Sequence, residues 1–233
     1  KTIVANQMFD AVKTGEVHFA SPSATVETMK GIEKDKTLDK VLVDNLGYGY
    51  IGINAGEPEL KNIHVRRALM YSMDTSLCLN YFSNGLAEVI HRPMSKVSWA
   101  YPEGATAYYP FDKTGEKTKQ ELKLAGYAEV NGKMLLAGKP LTLKFTVAGD
   151  TTDHPVWMTL KQSADILNSL GCDIIVETDS QALSKLASGA LSVWAAAWSS
   201  TIDPDMFQVY HMDSKATSVL NWGYDDIKKN YSR

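Results

Sequence analysis

Apolar and polar positions recur along the chain with two periods, one near two and one near 3.6, and they divide it into strands and helices. The segment V-W-A-A-A-W-S-S-T-I-D-P-D-M-F-Q-V-Y, residues 193–210, shows the change of period most sharply. Residues 193–197 are an apolar run, with Trp194 and Trp198 near its ends, long enough to cross a sheet. Ser199, Ser200 and Thr201 then break it. Asp203-Pro204 predicts a helix start, with Asp203 as N-cap and Pro204 where its missing N–H costs nothing. Met206, Phe207 and Tyr210 would share a face of that helix. A strand that ends in a small polar loop and feeds a helix N-terminus is where α/β proteins place ligands, and it is also an ordinary connection. Spacing alone does not choose between the two.

The rest of the chain reads the same way. Helices are predicted over residues 3–13, ended by Gly15, and from Ser23 with Val26, Met29 and Ile32 on one face. The longest is predicted over 61–82, with Val65, Ala68, Leu69, Met73 and Leu77 as its buried stripe. Others cover 117–125, ended by Gly126, 155–170, ended by Gly171, and 183–186. Strands are predicted at 17–20, 41–43, 48–54 and 173–178, and at 133–136 and 141–147, the last two joined as a pair through Gly138-Lys139-Pro140. Asn84-Gly85 reads as a turn, and residues 91–112, rich in proline, as a long loop. Its aromatics, Trp99, Tyr101, Tyr108 and Tyr109, either line a surface or pin the loop down. Alternating strands and helices without a linker argue for one layered α/β domain over residues 1–233.

Composition narrows the class. A formal net charge of −3 gives no reason to expect nucleic acid, and no run of 18 apolar residues suggests a membrane span. Cys78 and Cys172 stand apart from each other and from any Cys/His cluster, so they read as small buried hydrophobes rather than metal ligands. Gly47-x-Gly49-x-x-Gly52 matches a dinucleotide fingerprint formally. Its glycines lie inside a predicted strand with no helix behind them, which favours close passage of a neighbouring strand over phosphate binding. The search for catalysis finds little: Ser199 and Ser200 lie outside any nucleophile elbow, and the five histidines form no paired motif. His211 and Asp213, or Asp203 and Asp205, are pairs better read as solvated or as caps. No metal site and no cofactor is expected.

The residues taken together resemble a known family. Lys13-Thr14-Gly15-Glu16-Val17-His18-Phe19-Ala20, the stretch 50–54, the segment V-R-R-A-L-M-Y-S-M-D at 65–74 and L-K-L-A-G-Y at 122–127 are similar to ordered motifs of the extracellular family 5 solute-binding proteins of ABC transporters, the oligopeptide, dipeptide and nickel class. Residues 167–176, Trp198 with Asp203-Pro204-Asp205, and Asn221-Trp222-Gly223-Tyr224 continue the series. The resemblance implies an α/β lobe of periplasmic-binding-protein type II-like architecture, a mixed sheet flanked by helices. It implies the C-terminal lobe of a two-lobed clamp whose N-terminal lobe, with the secretion or lipoprotein signal, is absent from these residues. It also implies an extracytoplasmic location, anchored only through that absent part, and ABC permease subunits as partners.

On that resemblance the ligand is a peptide or another small solute. Trp198 would form an aromatic wall, Ser199, Ser200 and Thr201 would exchange hydrogen bonds with the ligand, and Tyr48 and Tyr50 would line the cleft. One position departs from the pattern. Peptide binders of the family carry an aspartate three residues after the tryptophan, for the peptide's ammonium group, and here that position is Thr201. A hydroxyl forgoes the charge-assisted part of that bond, about 1–2 kcal/mol. Asp203 or an acid of the absent lobe would have to substitute, or the ligand has no free amine there. The rival readings are a non-peptide solute such as a nickel complex or an oligosaccharide, a hydrolase using Ser199 or Ser200, and an interaction domain. Trp194 and Trp198 are expected to differ in role, core against ligand wall, because the chain leaves the sheet near Ser199.

Overall fold

The computed structural model describes residues 3–4, 7–82, 85–211, 213–216 and 222. Its centre is a four-stranded mixed sheet in the order β1-β6-β4-β5, made of β1 (Tyr48–Ile53), β4 (Thr142–Ala148), β5 (Asp173–Asp179) and β6 (Val193–Trp198). β4 lies parallel to both β5 and β6, and β1 closes the edge antiparallel to β6, with Tyr48 opposite Trp198 and Gly52 opposite Trp194. Two helical crossovers make the parallel part: α5 (Trp157–Ser169) joins β4 to β5, and α6 (Ala182–Ala187) joins β5 to β6.

The period of two assigns each residue of the sheet to a face. One face carries Leu143, Phe145 and Val147 of β4, Ile174 of β5 and Val193 and Ala195 of β6. It packs on α3 (Ile63–Ser72), α4 (Glu116–Leu124) and α5 through Val65, Leu69, Leu122, Leu160 and Leu167. All of these are buried. The other face carries Trp194, Ala196, Tyr50 and Ala148, packed with Leu191, Ala182, Leu186 and Trp222. α1 (Met8–Lys13) and α2 (Val26–Lys34) lie earlier in the chain, α2 capped by Thr25, whose hydroxyl accepts the Thr28 N–H at 3.2 Å.

Several expectations are corrected. The helix expected over 61–82 stops at Ser72, and a 3-10 turn, Thr75–Tyr81, follows. Asp74 causes the break: its carboxylate accepts the Ser76 N–H at 3.0 Å, while its carbonyl accepts the Thr159 hydroxyl at 2.9 Å. The longest helix among the described residues is therefore α5, with 13 residues. Residues 17–20 and 41–43 pair with no strand among the described residues, and Phe19, Val41 and Val43 are all more than 80% exposed. Residues 133–136 do not pair with 141–147. β3 (Lys133–Leu135) pairs with β2 (Ala128–Val130) across Asn131 and Gly132, both at positive φ as a two-residue hairpin turn needs. Leu136 and Lys139 do bridge each other, but Pro140 has no N–H to extend that ladder, and β4 leaves for the main sheet.

The long loop over 91–112 is tied down by some of its aromatics. The Tyr101 hydroxyl accepts the His91 N–H, and Tyr109 meets Tyr71 edge-on at 5.6 Å, whereas Trp99 stays 76% exposed. Cys172 is buried and its thiol is pushed up to about 12 by that burial; Cys78 is half-buried, 3.4 Å from the Thr159 hydroxyl. Asn84, Asn221, Gly223 and Tyr224 lie outside the described residues, as do residues 5–6 of the first expected helix.

Candidate functional site

β4, β5 and β6 end on the same side of the sheet, and β6 runs past its last β4 partner, Trp194, to Trp198, paired there with β1 alone. The outer end of this β1–β6 ribbon forms one wall of a cleft of about 500 Å³. Loop 199–206 contributes to the lining, as do α6, through Leu183, Leu186 and Ala187, and α7 (Phe207–Tyr210), through Gln208 and Val209. The site thus lies beyond the carboxyl ends of parallel strands, where α/β sheets leave a crevice.

Six of the seven expected residues line this one cleft: Tyr48, Trp198, Ser199, Ser200, Thr201 and Asp203. Tyr50 does not. Its ring lies behind Trp198, stacked on it at 6.1 Å with an interplanar angle of 6°, and burial pushes its phenol up. The Tyr48 phenol is likewise raised by burial, opposed by its hydrogen bond to the Tyr210 hydroxyl at 2.9 Å. The Trp198 indole N–H is shielded and finds no acceptor among the described residues.

Gly47, just before β1, and Gly52 within it explain how the ribbon closes. A Cβ on Gly47 would come within 2.7 Å of the Trp198 carbonyl oxygen, so the backbones approach closely there as expected. At Gly52 the neighbour is not backbone but the Trp194 ring, which occupies the space a side chain would fill. Gly49 has its nearest neighbour at 3.9 Å and explains nothing.

The loop corrects the expected helix start. No helix begins at Asp203-Pro204; α7 starts three residues after Pro204, at Phe207. Asp203 Oδ1 accepts the Asp205 N–H at 3.0 Å, and Asp205 Oδ1 accepts the Phe207 N–H at 2.9 Å, two successive turns in place of one cap. The Thr201 hydroxyl donates to the Asp203 carbonyl at 3.1 Å, so its proton is already engaged. Asp205, read from the sequence as a solvated or capping carboxylate, lines the cleft with Asp203, and no Lys, Arg or His does so among the described residues. The lining therefore combines carboxylates and hydroxyls with apolar side chains. Ser199 and Ser200 have no histidine among the residues around them in the cleft, and no three His, Cys, Asp or Glu side chains gather to hold a metal among the described residues.

Trp194 and Trp198 lie on the same face of β6, because the strand stays paired through Trp198 and leaves the sheet only afterwards. Their surroundings differ nonetheless. Trp194 is 1% exposed between Gly52 and Trp222, while Trp198 is half-buried at the cleft.

A mixed sheet with a crevice beyond its parallel strand ends is an α/β architecture that offers a place for a ligand there. The chain belongs to the bacterial extracellular solute-binding proteins, family 5, whose middle region matches residues 1–219. It is similar to the oligopeptide-binding protein AppA of Bacillus subtilis, 25% identical over 225 residues covering 94% of this chain and 40% of AppA. The solved AppA structure, in complex with a nonapeptide, superposes with a TM-score of 0.75 at 22% identity, over 96% of this chain and 44% of that one. NikZ of Campylobacter jejuni, in complex with Ni(L-His), superposes with a TM-score of 0.72 at 19% identity, over 95% and 43%. The chain thus spans about two-fifths of the length of the curated relative, and at these identities the solved structures establish the fold, a periplasmic-binding-protein type II-like α/β lobe.

Proposed function

We propose that this chain supplies one lobe of a two-lobed solute-binding protein that captures peptides outside the cytoplasmic membrane and hands them to an ABC importer. The observation that carries the reading is the cleft itself, with an aromatic wall at Trp198, hydroxyls at 199–201, and the carboxylates Asp203 and Asp205 with no cationic side chain in the lining among the described residues. Such a surface suits a ligand that brings its own ammonium group, peptide N–H groups and apolar side chains. Asp203 and Asp205 each spend one carboxylate oxygen on a backbone N–H, the other having no hydrogen bond among the described residues, which offsets the missing charge at Thr201. A lobe of this kind holds part of the ligand and a second lobe closes over the rest by hinge motion. The protein binds its ligand and does not convert it.

Family relatives with solved structures include one with a peptide and one with a nickel–histidine complex. The carboxylates in the lining favour a cationic ligand end without choosing between those chemistries. Mass spectrometry of small molecules released on denaturing the natively purified full-length protein tests the reading. Peptides with free N-termini are expected. A metal chelate or an oligosaccharide in their place would assign the fold to another solute.

A further inference from the structure

Trp222 does not line the cleft, yet it packs between the sheet and α7, two of the elements that contribute to its lining. Its ring packs against Tyr50 at 5.8 Å and Trp194 at 5.5 Å, on the sheet face behind Trp198. On its other side it stacks on Tyr210 of α7, 5.3 Å away at 24°, and its Nε1–H donates to the Val209 carbonyl at 2.8 Å. The Trp222 carbonyl accepts the Ala55 N–H at 3.0 Å, just past the end of β1, so the residue is fixed to the sheet edge.

α7 has four residues, too short to hold its shape or place without packing. Its Val209 and Gln208 contribute to the lining of the cleft, and so do Trp198 and Tyr48 of the sheet. The Tyr48–Tyr210 hydroxyl contact joins the two at one point. Trp222 joins them at a second, through a ring contact and a hydrogen bond together.

We infer that Trp222 is a positioning residue that wedges α7 against the sheet and so sets how far Val209 stands from the Trp198 wall. The inference rests on the reading of the cleft as the ligand site, but the wedge can be measured without ligand. Tryptophan is suited to the task because its ring stacks while its N–H reaches a backbone carbonyl. Phenylalanine would keep the ring contact and lose the hydrogen bond.

The experiment uses the full-length protein as wild type, Trp222→Ala and Trp222→Phe, with Phe145→Leu as a control that weakens the opposite sheet face. Hydrogen exchange reads the amides of residues 207–211. Equilibrium dialysis against a random pentapeptide pool with free termini reads ligand affinity. In Trp222→Ala, exchange in α7 should quicken and apparent affinity fall by at least about tenfold, the scale on which loss of a key contact is felt. Trp222→Phe should fall between Trp222→Ala and wild type on both readouts, and Phe145→Leu should leave both unchanged. Unaltered α7 exchange in Trp222→Ala overturns the wedge. Faster exchange with unaltered affinity overturns the positioning role. A wild-type protein that retains no peptide counts against the proposed ligand instead, and the exchange rates still decide the wedge.

Discussion

The two faces of the central sheet differ in what they are built from and in how completely they are covered. On the face toward α3, α4 and α5, aliphatic side chains and one phenylalanine interlock, and Leu143, Phe145, Val147, Ile174 and Val193 are 0–5% exposed. On the other, aromatic rings do the packing. Trp194 is sealed there, but Tyr50, Trp198 and Trp222 are only half-buried, and the face opens into the cleft. β6 serves both faces with alternate residues. Its alanines keep the middle of the strand thin, so a helix can approach on one side and a tryptophan ring on the other. The sealed face leaves no room for a ligand; the aromatic one tolerates an open end because large flat rings brace one another across a gap that aliphatic chains would have to fill. On the proposed reading, one face of the sheet is closed core and the other combines core, at Trp194, with a ligand site at its open end.

The comparison is broken most forcefully by emptying each face in turn. Phe145→Ala should cost about 3–5 kcal/mol, because the closed aliphatic layer around it has little freedom to collapse. Trp194→Ala should fall at the lower end of the same range, about 3 kcal/mol, since Trp222 and Tyr50 border open space and can settle inward. Urea denaturation of both variants measures the difference, and a Trp194→Ala cost under about 1 kcal/mol would show that the aromatic face contributes little to the core. A smaller effect comes from overfilling. Gly52→Ala places a methyl group where the Trp194 ring lies and should cost about 1–3 kcal/mol, with the near-ultraviolet tryptophan signal changed. Gly49→Ala, with space around it, should cost about 1 kcal/mol or less on the same scale.

Much of the sealed face was legible in the sequence, because a buried layer imposes its period directly. Leu160, Ala164 and Leu167 mark α5, and the alternation in β4 marks which side each of its residues takes, whereas β6 reads only as an apolar run. The errors arose where a single polar side chain or a turn overrides periodicity. Asp74 interrupts an apolar stripe that otherwise runs on to Leu77. Asn131-Gly132 is a hairpin signal that competes with the turn expected at Gly138, and Pro140 forbids the pairing expected there. Val41 and Val43 have strand composition, but nothing among the described residues pairs with them. For the site, the loop after Trp198 was legible as a place. Asp205 and the position of Tyr50 behind Trp198 were not, because both depend on how the loop turns and which ring lies in front, and neither leaves a period in the sequence.

The central claim is that the end of β6 is a ligand wall and not an extension of the core. The direct measurement is peptide affinity of the full-length protein by calorimetry, wild type against Trp198→Ala, using a peptide recovered from the purified protein. A half-buried ring at a cleft should cost less stability than Trp194 when removed, yet its loss should weaken binding by about tenfold or more. A Trp198→Ala protein as destabilised as Trp194→Ala and with wild-type affinity would contradict the account, and would make this end of the strand plain core.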